Sequence, residues 1–376
     1  MVLLVRFCSV TQTCVCSFTP VLLSNCLAGK KRRKELNSSG NRPYSADTKK
    51  SASKPASVKQ SWTILNKAAA EKLLKTTSRG DIVAVDFDGT CIHNDIGAVR
   101  FYRAIMTGFV DFTKENILGE IPFPKIRDYM RDAAKKSTKE ARLKLLGTAT
   151  AVYMAMYETL GARKAFPWPP KLYQGKTISE LAEFSRKVTE EELVCDVGYY
   201  AAPAAPKHLW DETGYIPKSS YLMATGIRPY SPIIELLNAL ADKGAGIFVI
   251  SASEGTAVKA CVDAVGLKTA GVIGQRLTVK DGILYPETIE PITVKEGKID
   301  ALRLISGTDK APVMVAGDTM NDVALLNTAT RLRILIDHHK PWFGKVLSNL
   351  TKTADTIVQP QFIEAPNIYM GEHEES

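Results

Sequence analysis

Ile82-Val83-Ala84-Val85-Asp86-Phe87-Asp88-Gly89-Thr90 decides how the rest of this chain is read. A short unbroken apolar run, rich in β-branched residues, is the pattern of a parallel strand buried on both faces. Here it stops at two carboxylates, two residues apart. Three more such runs follow. Gly246–Ile250 leads into Ser251, Val313–Ala316 into Gly317-Asp318, and Leu332–Ile336 into Asp337. Helix-like segments separate them. One has Ser231 as candidate N-cap, Pro232 for its first turn and Gly244 as its stop; another starts after Ser253 and ends near Gly266. Strands alternating with helices predict an α/β fold with a parallel sheet and right-handed crossovers. Such sheets carry their chemistry at the carboxyl ends of the strands, where each of the first three runs ends in a polar residue.

About 150 residues separate the first run from the second, far more than a crossover needs. The stretch 97–215 is helical by pattern, with long segments at 123–162 and 177–194. It is expected to be a helical cap domain over the strand edge. The remaining organisation is a tail at 1–60 and a core made of 61–96 and 216–365, opening with a short amphipathic helix at 61–76 (Trp62, Ile64, Leu65, Leu73, Leu74).

Composition narrows the class. Of 376 residues, 45% are apolar and 24% charged, which excludes a mostly disordered or fibrous chain. No stretch of 18 uncharged apolar residues predicts a membrane span. The net charge of +9 belongs to the tail: residues 1–80 hold 15 Lys/Arg against 3 Asp/Glu, the other 296 hold 34 against 37. A nucleic-acid-binding face on the folded body is therefore not expected. Cys8, Cys14, Cys16 and Cys26 sit in the tail. Cys91, Cys195 and Cys261 are too scattered for a disulfide framework or zinc pair. A reducing, cytoplasmic setting is the simplest expectation for the body. Residues 1–34 lack acids and end in Lys30-Lys31-Arg32-Arg33-Lys34. A mitochondrial or secretory targeting segment, a nuclear signal and a plain solvated charge run all stay open.

The strand-end residues suggest phosphate-ester chemistry. A phosphate ester repels a carboxylate, so Asp86 and Asp88 would need a hard dication with oxygen ligands, and Mg²⁺ suits. Asp86 could then attack phosphorus, while Asp88 serves the leaving oxygen as acid and the incoming water as base. Alone, the pair could equally cap backbone amides. Ser251, before a helix, could line an anion pocket or act as a helix cap. Lys298 could offset phosphoryl charge, with Lys295 as its rival. Asp318 and Asp322, four apart around a strand-to-helix turn, can face one metal or merely favour a helix N-terminus.

Strand-Asp-x-Asp, strand-Ser, Lys and strand-Gly-Asp-x-x-x-Asp occur here in one order. That set resembles the haloacid dehalogenase-like (HAD) hydrolase superfamily over about residues 80–340. The resemblance implies a Rossmann-like sheet with helices on both faces, Mg²⁺ dependence and an Asp nucleophile. By position it makes Asp86 nucleophile and metal ligand. Asp88 becomes acid/base and, through its carbonyl, a ligand. Ser251 and Lys298 hold phosphate, and Asp318 and Asp322 complete the metal site. Asn94-Asp95-Ile96-Gly97, Gly226-Ile227-Arg228-Pro229-Tyr230, Ser251-Ala252-Ser253 and Gly297-Lys298 look like the phosphoserine phosphatase branch, including phosphocholine-phosphatase-type enzymes. There the cap lies between the first and second motifs.

Asp88 separates the reactions, because a phosphatase needs that acid and a dehalogenase does not. Hydrolysis of a small phosphorylated metabolite, phosphocholine- or phosphoserine-like, leads. Phosphotransfer by the same intermediate and a non-catalytic binder that keeps the fold are the alternatives. The aromatics Tyr153, Tyr157, Trp168, Tyr199, Tyr200, Trp210 and Tyr215 could cage a quaternary ammonium, or simply pack. Arg228 could face a substrate anion or pair within the fold. His93, His338 and His339 have no partner cluster in sequence, so solvent or structural roles are expected.

Overall fold

The computed structural model describes residues 64–372, with side chains from residue 67. The strand Ile82–Val85 (β1) is buried along its whole length. Five more strands join it: Gly246–Glu254 (β2), Gly271–Gln275 (β3), Met314–Gly317 (β4), Leu332–Asp337 (β5) and Asp355–Pro360 (β6). The sheet order is β6-β5-β4-β1-β2-β3, and every pairing is parallel.

Alternation along β1 sorts the core into two layers. Val83 and Val85 point to the side where Ile247, Val249, Met314 and Ala316 meet helices Ser231–Asp242 and Gly255–Ala264. Ile82 and Ala84 point to the other, with Phe248, Ile250 and Val315 against helix Gly297–Ser306 and the short helices Val323–Leu326 and Phe343–Ser348. Helices thus cover both faces, and each large aliphatic side chain buried there contributes about 1.5–3 kcal/mol. This is the α/β, Rossmann-like arrangement expected from the alternating pattern. Two local readings change. Tyr230, not Ser231, occupies the cap position of helix Ser231–Asp242, and its side chain bonds no amide. Strands β3 and β6 have no counterpart among the four apolar runs.

The strand order matters for function. From β1 the chain goes to β2 and β3 on one side, then crosses to β4 on the other side of β1. Loops after β1 and β4 therefore diverge around a crevice at the carboxyl ends, the place where open α/β sheets bind ligands.

A second hydrophobic cluster lies between β1 and β2 in sequence. Helices Ile96–Thr107, Pro124–Ala134, Lys139–Leu160 and Ile178–Val194 bury Phe101, Leu146, Val152, Trp168 and Trp210 together. The antiparallel ribbon Gly198–Pro203/Ser220–Thr225 adds Tyr221 and Met223. We propose on this basis that the cap continues past residue 215 to about Thr225. The hairpin Leu277–Lys280/Ile283–Thr288 touches the cap: Gly175 N–H donates to Leu284 O and Ile178 N–H to Gly282 O, both at 2.8 Å.

Helix Ile64–Thr76 lays Ala70 and Leu73 on the sheet side of the core. The expectations for residues 1–60 and Trp62 lie outside the described residues. Among the described residues, no helix is long and apolar enough to cross a membrane.

Candidate active site

Asp86 follows β1 without a break, and its N–H donates to Ala316 O at 3.0 Å. The sheet ladder therefore sets its backbone. The turn after it reverses through Gly89 at φ 72°, and a Cβ there would lie 2.2 Å from Asp318 Oδ2. The glycine serves both the left-handed turn and the close approach of the β4 loop.

Asp318 leaves the end of β4, and Asp322 folds back over the same loop. Asp322 Oδ2 accepts from the backbone N–H of Asp318 and Thr319 and from Thr319 Oγ1. Lys298 arrives from the first turn of helix Gly297–Ser306. Its Nζ donates to Asp86 Oδ1 at 2.6 Å and to Asp322 Oδ1 at 2.5 Å, with the lysine 1% exposed. Its rival Lys295 is exposed. Gly297 permits the approach, since a Cβ there would lie 1.9 Å from Ile292 O. Gly297→Ala is expected to push this helix off its loop. It should cost about 1–3 kcal/mol of stability, read by urea denaturation; a wild-type midpoint would show that the helix has room.

Asp88 sits apart from this cluster. Its Oδ1 accepts from Ile96 N–H at 2.7 Å and its Oδ2 from Ser251 Oγ at 2.9 Å. Ser251 lies within β2, and its Oγ accepts from Ser253 N–H at 2.9 Å. Ser253 Oγ in turn donates to Asp95 Oδ1. Neither serine caps the following helix; Glu254 does, accepting from Thr256 and Ala257 N–H. All six expected residues therefore converge on the crevice.

Burial and charge give the acids different states. Burial pushes the Asp86 carboxyl well above its ordinary range; Lys298 pulls it back in part, while Asp322, Asp318 and Asp88 push it further up. Asp88 is pushed up to about 8, by burial first and then by Asp95. Asp318 is raised by burial despite its bond to His338. For Asp322, burial is outweighed by Lys298, and its carboxyl is lowered.

Two residues of the site escaped the sequence reading. His338, just past β5, is buried; its Nε2 lies 2.8 Å from Gly89 O and 3.3 Å from Asp318 Oδ2, and its Nδ1 3.1 Å from Gln361 Oε1. Burial works against its charge, but the bond to Asp318 outweighs it and raises its pKa. Tyr369 donates its hydroxyl to Asp318 Oδ2 at 2.7 Å. The position of Asp337 at a strand end hinted at His338; nothing local marks Tyr369. His93 instead lies buried beside Tyr230, and His339 is exposed. Arg228 is spent on the carbonyls of Glu192, Leu193 and Cys195, at the end of helix Ile178–Val194.

The donor set fits a hard dication. Asp86, Asp318 and Asp322 each offer an oxygen, all within 4.8 Å of one another. Three buried carboxylates face one ammonium, Lys298, and burial raises Asp86 and Asp318, so a dication held there would offset charge that burial disfavours.

A small cavity of about 50 Å³ opens beside Asp95 and Ser253. Asp95, Arg100 and Glu254 line it, with Tyr153, Phe166, Tyr173 and Met370. Of the seven aromatics singled out in the sequence only Tyr153 is there. Trp168, Trp210 and Tyr215 are buried in the cap cluster. Arg100 is committed: one terminal nitrogen donates to Glu254 at 2.5 Å and to Ser185 and Thr256 at 3.0 Å.

Comparison with known proteins bears on this geometry. The chain is 35% identical over 107 residues to a phosphoserine phosphatase from Halobacterium salinarum, a match covering 28% of this chain and 50% of that one. It thus spans about half the length of the curated relative it matches. A conserved protein of unknown function from Anaerococcus prevotii has a similar structure, with a TM-score of 0.61 and 17% identity over 76% of this chain and 89% of that one. A substrate-bound phosphoserine phosphatase aligns with a TM-score of 0.36 and 15% identity over 74% and 93%. No family profile matches the chain. The Anaerococcus structure supports the fold, and the curated relative shares sequence with this chain over those 107 residues.

Proposed function

We propose that this chain is a magnesium-dependent phosphatase that cleaves a small phosphomonoester through an aspartyl-phosphate on Asp86. The observation that carries the reading is the buried convergence of Asp86, Asp318 and Asp322 around Lys298, with a separately held acid, Asp88, bonded to Ile96 N–H and Ser251 Oγ.

Asp86, Asp318 and Asp322 would hold the ion, with the carbonyl of Asp88 as the superfamily resemblance implies; bound there it supplies charge neutralisation for the ester and the nucleophile. Asp86 attacks phosphorus, and the bond to the ester oxygen breaks. Asp88, protonated at neutral pH by its raised pKa, gives that oxygen its proton and releases the alcohol. The same carboxylate then takes a proton from water. The water oxygen attacks the aspartyl-phosphate, inorganic phosphate leaves, and Asp86 is restored. Lys298 steadies the negative charge on both nucleophile and phosphoryl group. Ser251 Oγ holds Asp88 in place.

The cavity suggests the leaving group. Its acids are Asp95 and Glu254, and its cation Arg100 is already paired with Glu254. A substrate carboxylate would find no uncommitted arginine there, since Arg100 pairs with Glu254 and stacks on Tyr173, whereas an ammonium would find Asp95 and the Tyr153 ring. We therefore favour an amino-alcohol phosphate, such as phosphoethanolamine or phosphocholine, over phosphoserine.

The test is phosphate release from these three esters and from an aryl phosphate. EDTA should abolish turnover and Mg²⁺ restore it. Asp95→Asn, which keeps the cap on Ala98 N–H, should raise KM for the amino-alcohol ester about tenfold and change the aryl phosphate far less. No release from any ester with Mg²⁺ present would overturn the proposal. A preference for phosphoserine would overturn the leaving-group assignment alone.

A further inference from the structure

The last described residues return to the active site from beyond the sheet. Asn367 Oδ1 accepts from Asn94 N–H at 2.6 Å, and Ile368 N–H donates to Asn94 Oδ1 at 3.1 Å. Further on, Glu372 O accepts from Leu222 N–H at 2.7 Å, and its carboxylate pairs with Lys340 at 2.5 Å. Between these anchors Met370 reaches the cavity wall, and Tyr369 reaches Asp318. The Tyr369 ring is held edge-on by His338 and Trp342, with centroids 6.0 and 5.7 Å away.

We infer that Tyr369 is a positioning residue for the metal site, an inference that rests on the magnesium-dependent reading above. Its hydroxyl and His338 Nε2 both approach Oδ2 of Asp318. The Tyr369 hydroxyl donates directly, while the His338 ring, whose Nε2 is 2.8 Å from the Gly89 carbonyl, packs 3.3 Å from the same oxygen. Together they restrict the rotation of the carboxylate, which its neighbours Asp86 and Asp322 approach within 4.8 Å. Without the hydroxyl, Asp318 keeps only the longer 3.3 Å contact to His338 and can swing. Partners that orient a ligating carboxylate typically account for 10–100-fold in metal affinity. The segment that carries Tyr369 is anchored to Asn94 on one side and Leu222 on the other, so the hydroxyl is held in place before any ion arrives.

The experiment is a calorimetric titration of Mg²⁺ into the metal-free full chain and its Tyr369→Phe variant, together with Mg²⁺-dependence of turnover. Tyr369→Phe should weaken Mg²⁺ binding about tenfold or more. At saturating Mg²⁺ the KM for the ester should stay at the wild-type value, which a general loosening of the fold would not allow. Unchanged Mg²⁺ affinity in the variant, with clear binding by the unaltered chain, overturns this inference alone. No Mg²⁺ binding by the unaltered chain overturns the reading of the site and this inference with it.

Discussion

Asp86→Asn should lower phosphate release by about 10⁴-fold or more, the scale seen when a covalent nucleophile is removed. An amide nitrogen or oxygen cannot form the acyl-phosphate, yet the side chain keeps its size and an oxygen for Lys298. The same variant tests the electrostatics. The Asp86 carboxyl is raised well above its ordinary range, by burial first, and that is a charge the metal-free fold disfavours. A carboxyl whose folded pKa exceeds its unfolded one destabilises the fold as pH rises from about 4, the unfolded value, toward the folded one. In EDTA at pH 7 the Asn variant should therefore melt above the unaltered chain, and the difference should vanish below about pH 4. A variant that turns over normally removes Asp86 as nucleophile. One that melts lower at pH 7 refutes the unfavourable-charge argument.

Lys298→Met should cost about 3–5 kcal/mol, the penalty for leaving buried charges without their partner. The side chain keeps its length, so packing is largely preserved and the loss reports charge. Lys298 is 1% exposed and bridges Asp86 and Asp322. Burial alone would lower its pKa, but the two carboxylates outweigh burial and raise it. An ammonium raised in this way contributes its full stability below its unfolded pKa of about 10.4 and loses it only in stronger base. The deficit of the variant should thus be present throughout pH 6–9 in urea denaturation without metal. Turnover should fall about 10²–10³-fold, as for other groups that meet developing charge. Lys298→Arg should not rescue either property, because a guanidinium is larger and the site is closed. Wild-type stability at pH 7 would show that the two carboxylates do not depend on this cation.

The legible part of the site was the part written on strand ends. Asp86, Ser251 and Asp318 each follow a β-branched run, and a parallel strand delivers its last residue to one edge of the sheet whatever the rest of the chain does. Lys298 could be preferred over Lys295 only weakly, since one-residue phase on a short helix decides burial; here Gly297 and the carbonyl of Ile292 settle it. Strand β6 escaped because it is half exposed at the sheet edge, so its pattern is not a buried run. The proposed extension of the cap past residue 215 has no local signal, because it rests on the pairing of Gly198–Pro203 with Ser220–Thr225, and pairing register is not a local property.

Sequence alone determined the parallel α/β class, the long helical insertion and the order of the chemistry-bearing acids, because hydrophobic period and strand-end position are local consequences of backbone geometry. Only the tertiary structure decided that β1 and β4 are neighbours, that His338 and Tyr369 both approach one oxygen of Asp318, and that Arg100 is paired with Glu254. Those facts rest on contacts between residues 20 to more than 200 positions apart, which depend on how whole layers pack rather than on any stretch of chain.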